Sequence, residues 1–204
     1  MIKKKGVFYN MSNVSFQGRS NLFISGEIYD QFVQKSQNTR RVITKTRVDN
    51  TLSINKPFLT LPEPDDIIVI IRNERNGFMK KFPVLTKIEK IADDICRQID
   101  ELQKNAKEKL TAWIIGGSNY RQDNGKTIKA VNELGEVLCD RPDIDTSILA
   151  GPRFKTADGI GIQGNVGETT IVLTKGKNTD IKSPEDLEDF FDIVELNNVE
   201  TKID

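Results

Sequence analysis

Ile67-Ile-Val-Ile-Ile71 is an uninterrupted apolar run in which every residue is β-branched. A strand with one wet face alternates apolar and polar residues; this one does not, so it reads as a strand buried on both faces. A fold that contains it must cover that sheet from both sides. Four polar residues, Arg72 to Arg75, follow and lead into Asn76-Gly77, a pair that supplies positive φ at low cost and marks a hairpin. Phe78 to Val84 is then the returning strand.

One covering layer is legible directly. Ile88, Ile91, Ala92, Ile95, Ile99, Leu102, Ala106 and Leu110 recur every three or four residues, with Asp, Glu, Lys, Arg and Gln between them. This is one apolar stripe on a helix over about Lys87 to Glu108. Leu110 to Ile115 is a second buried strand, closed by Gly116-Gly117 and carrying Trp113 into the core. Ile128, Val131 and Leu134 share a face of a second helix, Lys126 to Leu134, with Gly135 as its stop. Short strands are expected around Val137–Cys139 and Ile148–Ala150, and a clearer one at Thr169–Leu173. Ser183, Pro184 and Asp186 open a last helix with a capping box, its apolar residues being Leu187, Phe190, Phe191 and Val194.

The first part of the chain is less patterned. Met1 to about Asn38, with isolated Phe8, Val14, Phe23, Ile28 and Phe32, reads as short strands and loops. Arg41 to Val48 alternates as a period-two strand. Lys56 to Pro64 holds three prolines and is an extended connection, since it can be neither a helix interior nor a central strand. The sum is an α+β domain, with mixed β-sheet layers packed against two or three helices. It divides into a β-rich N-terminal extension (1–60), a core (61–182) and a C-terminal helix and tail (183–204), together one compact unit.

Composition narrows the chemistry. The chain has no histidine, so an imidazole base, a histidine–cysteine pair and a histidine metal ligand are closed to it. Thirty Lys plus Arg balance thirty Asp plus Glu, so no global field draws in nucleic acid or an anionic membrane, and neither is expected as a partner. The lysines of Met1–Lys5 are followed by Gly6 rather than an apolar run, so no signal peptide is expected. The longest apolar stretch falls far short of the ~20 residues of a membrane span. Two cysteines make no disulfide scaffold and fit a reducing compartment, the cytoplasm or a host cytosol into which the protein is delivered.

Several motifs suggest chemistry and are outweighed by simpler readings. Gly159-Ile-Gly-Ile-Gln-Gly164 matches G-x-G-x-x-G, but the helix a dinucleotide site needs does not follow, so it is a structural loop and no cofactor is expected. Gly125-Lys126-Thr127 ends like a phosphate loop, yet Tyr120 stands where its first glycine belongs; it is a helix-capping turn. Asp140, Asp143 and Asp145 lack the glycine and distal glutamate of a calcium loop, and no metal is expected. Cys96 lies mid-helix and Cys139 ends a strand two residues before Arg141; both are expected to be buried and inert, Cys139 being the alternative nucleophile. Loops after strands are where binding surfaces sit, which singles out Gly116 to Asn124, with Gly116, Gly117, Ser118, Asn119, Tyr120 and Arg121 as binding residues.

Three stretches taken together resemble a known family, the bacterial chemoreceptor glutamine deamidases called CheD. Lys107-Glu-Lys-Leu-Thr-Ala-Trp-Ile-Ile-Gly-Gly-Ser-Asn119 is similar to that family's helix end, strand and Gly-Gly-Ala-Asn turn. Gly164-Asn-Val-Gly-Glu-Thr-Thr-Ile-Val172 is similar to its late Gly-Gly-x-x-Gly-Arg motif, with Gln163 in place of the first glycine and Glu168 in place of the arginine. Asp66 to Pro83 resembles the strand, turn and return that carry its active site. The likeness spans about Leu61 to Thr174. Asp66 stands where the resemblance would put the nucleophilic cysteine, and Lys80 where it would put the histidine. An aspartate and a lysine cannot form a thiolate–imidazolium pair.

The resemblance thus implies a CheD-like fold without deamidation chemistry: a non-catalytic domain that binds or regulates a protein partner, through the Gly116–Asn124 loop and the C-terminal helix with Phe190 and Phe191. Two other functions stay open on sequence alone. One is a cysteine-dependent amidase or transferase working without histidine. The other is a secreted effector or mobile-element protein that binds a host target.

Overall fold

The computed structural model describes residues 19–38, 52–53, 58–60, 67–82, 88–104, 108–117, 125–152, 160–165, 168–174 and 181–203. They form an α+β domain, as the pattern of the sequence predicts. One sheet runs β10 (Phe191–Glu195), β7 (Ile144–Pro152), β6 (Leu110–Gly116), β4 (Ile67–Arg72), β5 (Gly77–Phe82), β2 (Leu52–Ser53). The other runs β11 (Val199–Ile203), β1 (Arg19–Ile24), β9 (Glu168–Leu173), β8 (Ile160–Asn165), β3 (Phe58–Thr60). The helices are α1 (Gly26–Asn38), α2 (Ile88–Gln103) and α3 (Lys126–Cys139), with a 3-10 helix at Pro184–Asp189.

Both sheets are mixed. In the six-stranded sheet β6 and β7 are parallel and joined through α3, the long crossover that parallel neighbours need; the other pairs are antiparallel. In the five-stranded sheet β1 runs parallel to both β9 and β11. The fully buried β4 explains the layering. Its Ile68 and Ile70 point into a core between the two sheets, with Leu22, Ile24, Met79, Trp113, Ile115, Ile162, Ile171 and Leu187. Its Ile67, Val69 and Ile71 point the other way, into a core shared with Ile91, Ile95 and Ile99 of α2 and Val131, Leu134 and Leu138 of α3. A third, small cluster sets Phe32 of α1 on Val172 of β9. The order of layers is α1, five-stranded sheet, six-stranded sheet, α2 with α3. Trp113 satisfies its indole between the sheets by donating to Ser20 Oγ at 3.1 Å.

Several expectations are corrected here. Residues Gly26–Asn38 form a helix, not short strands and loops; Ser25 Oγ caps it by accepting from the Ile28 N–H at 3.2 Å, and Phe32 faces the sheet. The three-residue β3 lies within the proline-rich connection, as an outermost strand of its sheet, the place where nearby prolines are tolerated. The α2 stripe ends at Gln103, and Leu110 belongs to β6. Helix α3 runs through Gly135 to Cys139, so Val137–Cys139 is helical rather than a strand. A methyl on Gly135 would lie 2.8 Å from Ile148 Cδ1, so this glycine serves the approach of helix to sheet rather than a stop.

The capping box at Ser183 forms, with the Asp186 carboxylate accepting from the backbone of Lys182 (2.8 Å) and Ser183 (2.9 Å). The helix lasts only to Asp189, and Phe191 and Val194 continue in β10, because pairing with β7 and burial of Phe191 outweigh the helical spacing. The Asn76-Gly77 hairpin is present without positive φ at Gly77. Asn73 Oδ1 takes the N–H groups of Arg75 and Asn76, and Gly77 faces Arg72 across the ladder. The strand expected at Arg41–Val48 lies outside the described residues.

Candidate functional site at the carboxyl edge of the parallel pair

In open sheets with helical crossovers, ligands gather beyond the carboxyl ends of parallel strands, where the crossover helix begins. Here that edge collects more than the parallel pair. The ladders set Ile67 opposite both Gly116 and Phe82, and Gly116 opposite Ala150. Phe191 stands opposite Pro152, so β10 starts at the same edge. The start of β4, the ends of β5, β6 and β7 and the start of α3 therefore meet there.

The backbone at this edge is unusual. Gly116 (φ 105°), Gly117 (φ 80°), Gly125 (φ 77°) and Gly151 (φ 65°) are the positive-φ glycines among the described residues, and all four lie at this edge. Close packing also excludes a side chain at two of them. A methyl on Gly117 would approach Thr127 Cγ2 to 2.8 Å, and one on Gly151 would approach Asp192 Oδ2 to 2.6 Å and Ile128 Cδ1 to 2.9 Å. Thr127, fully buried, thus seats the first turn of α3 on the end of β6. Gly125 caps α3 without a side chain, no acidic residue stands in the first turn, and Lys126 is exposed there. The positive end of the helix and the Lys126 ammonium favour an oxygen ligand or a carboxylate, while Asp192 contributes negative charge on the β10 side.

Of the residues nominated by sequence, Gly116 and Gly117 are at this edge; Ser118, Asn119, Tyr120 and Arg121 lie outside the described residues, in the segment that joins Gly117 to Gly125. Asp66 also lies outside them, one residue before Ile67 in the sequence. Lys80 stands opposite Val69, two rungs in from the Ile67 end of the ladder, and its ammonium is ion-paired with Asp94 of α2. Burial pushes the Asp94 carboxyl up, but hydrogen bonds from Lys80 and Arg97 outweigh that and hold it below the usual carboxylate range. The late glycine motif is elsewhere too. Glu168 begins β9 at the far end, where Arg72 Nη1 donates to its carbonyl.

The alternative nucleophile is neither buried nor activated. Cys139 is exposed, and it ends a helix rather than a strand, where the dipole opposes a thiolate. Its Sγ lies 3.7 Å from Glu195 Oε1; partial desolvation and then that carboxylate push its pKa up. Cys96 is half-buried on α2, not fully buried as expected. Asp143 is bound by Gln103 (2.6 Å) and Arg141, and Asp145 by Lys109 (2.9 Å) and Asn198 (2.8 Å); among the described residues no cluster of three potential ligands could hold a metal. Gly161 and Gly164 lie within β8 rather than in a loop, and no helix follows them. Phe191 is buried between the sheets and Phe190 packs beside it, so neither is a free contact surface.

Sequence reasoning missed Gly151 and Asp192. The Gly151-Pro152 step was the available signal for a chain break at a strand end, whereas nothing local tied Asp192 to it. Compared with protein-family models and with curated proteins, the chain matches none.

Proposed function

We propose that this chain is a non-catalytic binding or regulatory domain built on a CheD-like α+β frame, and that it takes a protein partner at the carboxyl edge of β6 and β7. The observation that carries the reading is the convergence of the four positive-φ glycines on that edge. Glycine at positive φ lets another backbone approach closely, and loops at strand ends are where binding surfaces sit. Parts of two of the three stretches that resemble the deamidases also meet there: the Gly-Gly turn after β6, and the start of β4 at Ile67, which Asp66 precedes in the sequence. In the third, Glu168 lies at the far end, against Arg72. The cysteine-dependent alternative has no supporting geometry, because the environment of Cys139 favours its thiol.

The test is to mix the protein with a glutamine-bearing chemoreceptor peptide, following binding by calorimetry and amide loss by mass spectrometry. Binding without amide loss, weakened by Lys126→Glu and by Tyr120→Ala/Arg121→Ala, is expected. Turnover of the glutamine, or binding indifferent to these substitutions, refutes the reading.

A further inference from the structure

A different part of the molecule points to a second copy of this chain. Strand β11 is outermost in the five-stranded sheet; among the described residues it bonds only to β1, which leaves its other edge as a template for a further strand. Its five residues alternate between half-buried and exposed. Val199 and Ile203 pack toward the inter-sheet core, so Thr201 shares their face and Glu200 and Lys202 share the other. Lys202 lies on that outer face over the Phe23 ring, 5.6 Å from its centroid, and 3.0 Å from Glu200. The side chains of Glu200 and Lys202 remain 54% and 51% exposed. Helix α1 covers β9, β8 and β3, away from this edge.

We propose that two copies associate edge to edge through antiparallel β11 strands, joining their five-stranded sheets into one continuous sheet about a two-fold axis at Thr201. In that register Glu200 faces Lys202 of the second copy and Lys202 faces its Glu200, while Val199 faces Ile203 on the inner side. Directly opposed residues on one face are the pairs that decide strand association. The alternatives are repulsive. Centring the axis on Glu200 or on Lys202 sets like charges against each other, as does an in-register parallel pair. A lone lysine in the middle of an edge strand deters pairing; a lysine with a glutamate two residues away, in a closed two-fold arrangement, selects one register instead.

Charge reversal tests this with the full chain in sedimentation equilibrium over a dilution series. The wild type is expected to show a reversible monomer–dimer equilibrium. Glu200→Lys alone places lysine against lysine, and Lys202→Glu alone places glutamate against glutamate; each should weaken the dimer more than about tenfold. The two single variants mixed in equal amounts should form a heterodimer, and the double variant E200K/K202E should dimerise again. Both substituted positions, Glu200 and Lys202, are exposed, and circular dichroism checks that each variant is folded. A wild type that stays monomeric to its solubility limit overturns the proposal. So do single variants that dimerise like the wild type, or a mixture that remains monomeric.

Discussion

Gly77 offers a sharp test of how the β4–β5 hairpin is specified. If the turn required positive φ at this residue, asparagine would serve almost as well as glycine, since asparagine visits that region readily. The structure gives another reason. A methyl on Gly77 would lie 2.5 Å from Arg72 Cβ, 2.7 Å from the Ile71 carbonyl oxygen and 2.9 Å from Arg72 Cα. Two of those three atoms are backbone and cannot swing aside. Gly77→Ala gains about 0.4–1 kcal/mol by stiffening the unfolded chain. It loses roughly 1–3 kcal/mol to overpacking, weighted to the upper end because the clash is with backbone. The net is a destabilisation of about 2 kcal/mol, and with a urea m-value near 2 kcal/mol/M the midpoint falls by about 1 M. The sole tryptophan, Trp113, is buried between the sheets and reports unfolding by fluorescence. Gly77→Asn should be worse than Gly77→Ala, because its larger side chain meets the same backbone. An Asn variant more stable than the Ala variant would falsify this account and restore the positive-φ one.

Gly135→Ala should be nearly neutral, the gain of about 1 kcal/mol in helix propensity being offset by the push on Ile148 Cδ1. In an Ile148→Val background the same change should turn stabilising, with a coupling of about 1 kcal/mol in a double-mutant cycle; strict additivity would refute the contact. Cys139, though exposed, should react slowly with iodoacetamide at neutral pH and faster as pH rises, and Glu195→Gln should speed the neutral reaction by removing the carboxylate that raises the thiol's pKa. A rate unchanged by that substitution counts against the stated cause. The Asp94 carboxyl titrates below its unfolded value, so the stability it contributes is complete above about pH 4 and disappears as pH falls through the lower, folded value. Asp94→Asn should therefore destabilise at neutral pH and by a smaller margin near pH 2 in urea titrations; an equal margin at both pH values would rule out the ion pair with Lys80 as the source.

The elements readable in the sequence are those whose pattern admits one period. Ile67–Ile71 has no polar residue to fit a helix face, and the α2 stripe keeps its spacing over four turns; β4, β6 and α2 were therefore legible. Helix α1 was hidden because Ile28 and Phe32 are few, although Ser25 three residues before Ile28 was a usable cap signal. The run Leu187, Phe190, Phe191, Val194 fits a helix on spacing, and only the open edge of β7, remote in sequence, makes Phe191–Glu195 a strand. Gly135 looked like a stop because its neighbour Ile148 lies on another element. At the candidate site the Gly116-Gly117 turn was visible in the sequence. The contact of Gly151 with Asp192 was not, since it joins residues on different strands that no local pattern links.

The two ends of the six-stranded sheet reverse the chain by different chemistry, and the contrast bears on where a partner can dock. At the far end asparagine does the work. Asn73 Oδ1 accepts two backbone N–H groups, Asn197 Nδ2 donates to the Thr146 carbonyl at 2.6 Å, and Asn198, at φ 55°, donates to Asp145. These side chains consume the polar groups of the turns and leave them closed. At the other end the chain leaves β6 through two glycines and enters α3 through a third, so no side chain at those three positions can cap the helix or cover the strand end. Glycine costs about 0.5–1 kcal/mol of extra conformational entropy per ordered residue. All three glycines have positive φ, which explains glycine there by backbone conformation alone; close packing adds a second reason at Gly117. That packing is internal, Thr127 on Gly117, as is that of Asp192 on Gly151. Among the described residues nothing lies within 4 Å of a methyl built on Gly125, and the first turn of α3 and Lys126 are beside it. That is the point of the edge where an incoming backbone oxygen would meet N–H groups rather than a side chain.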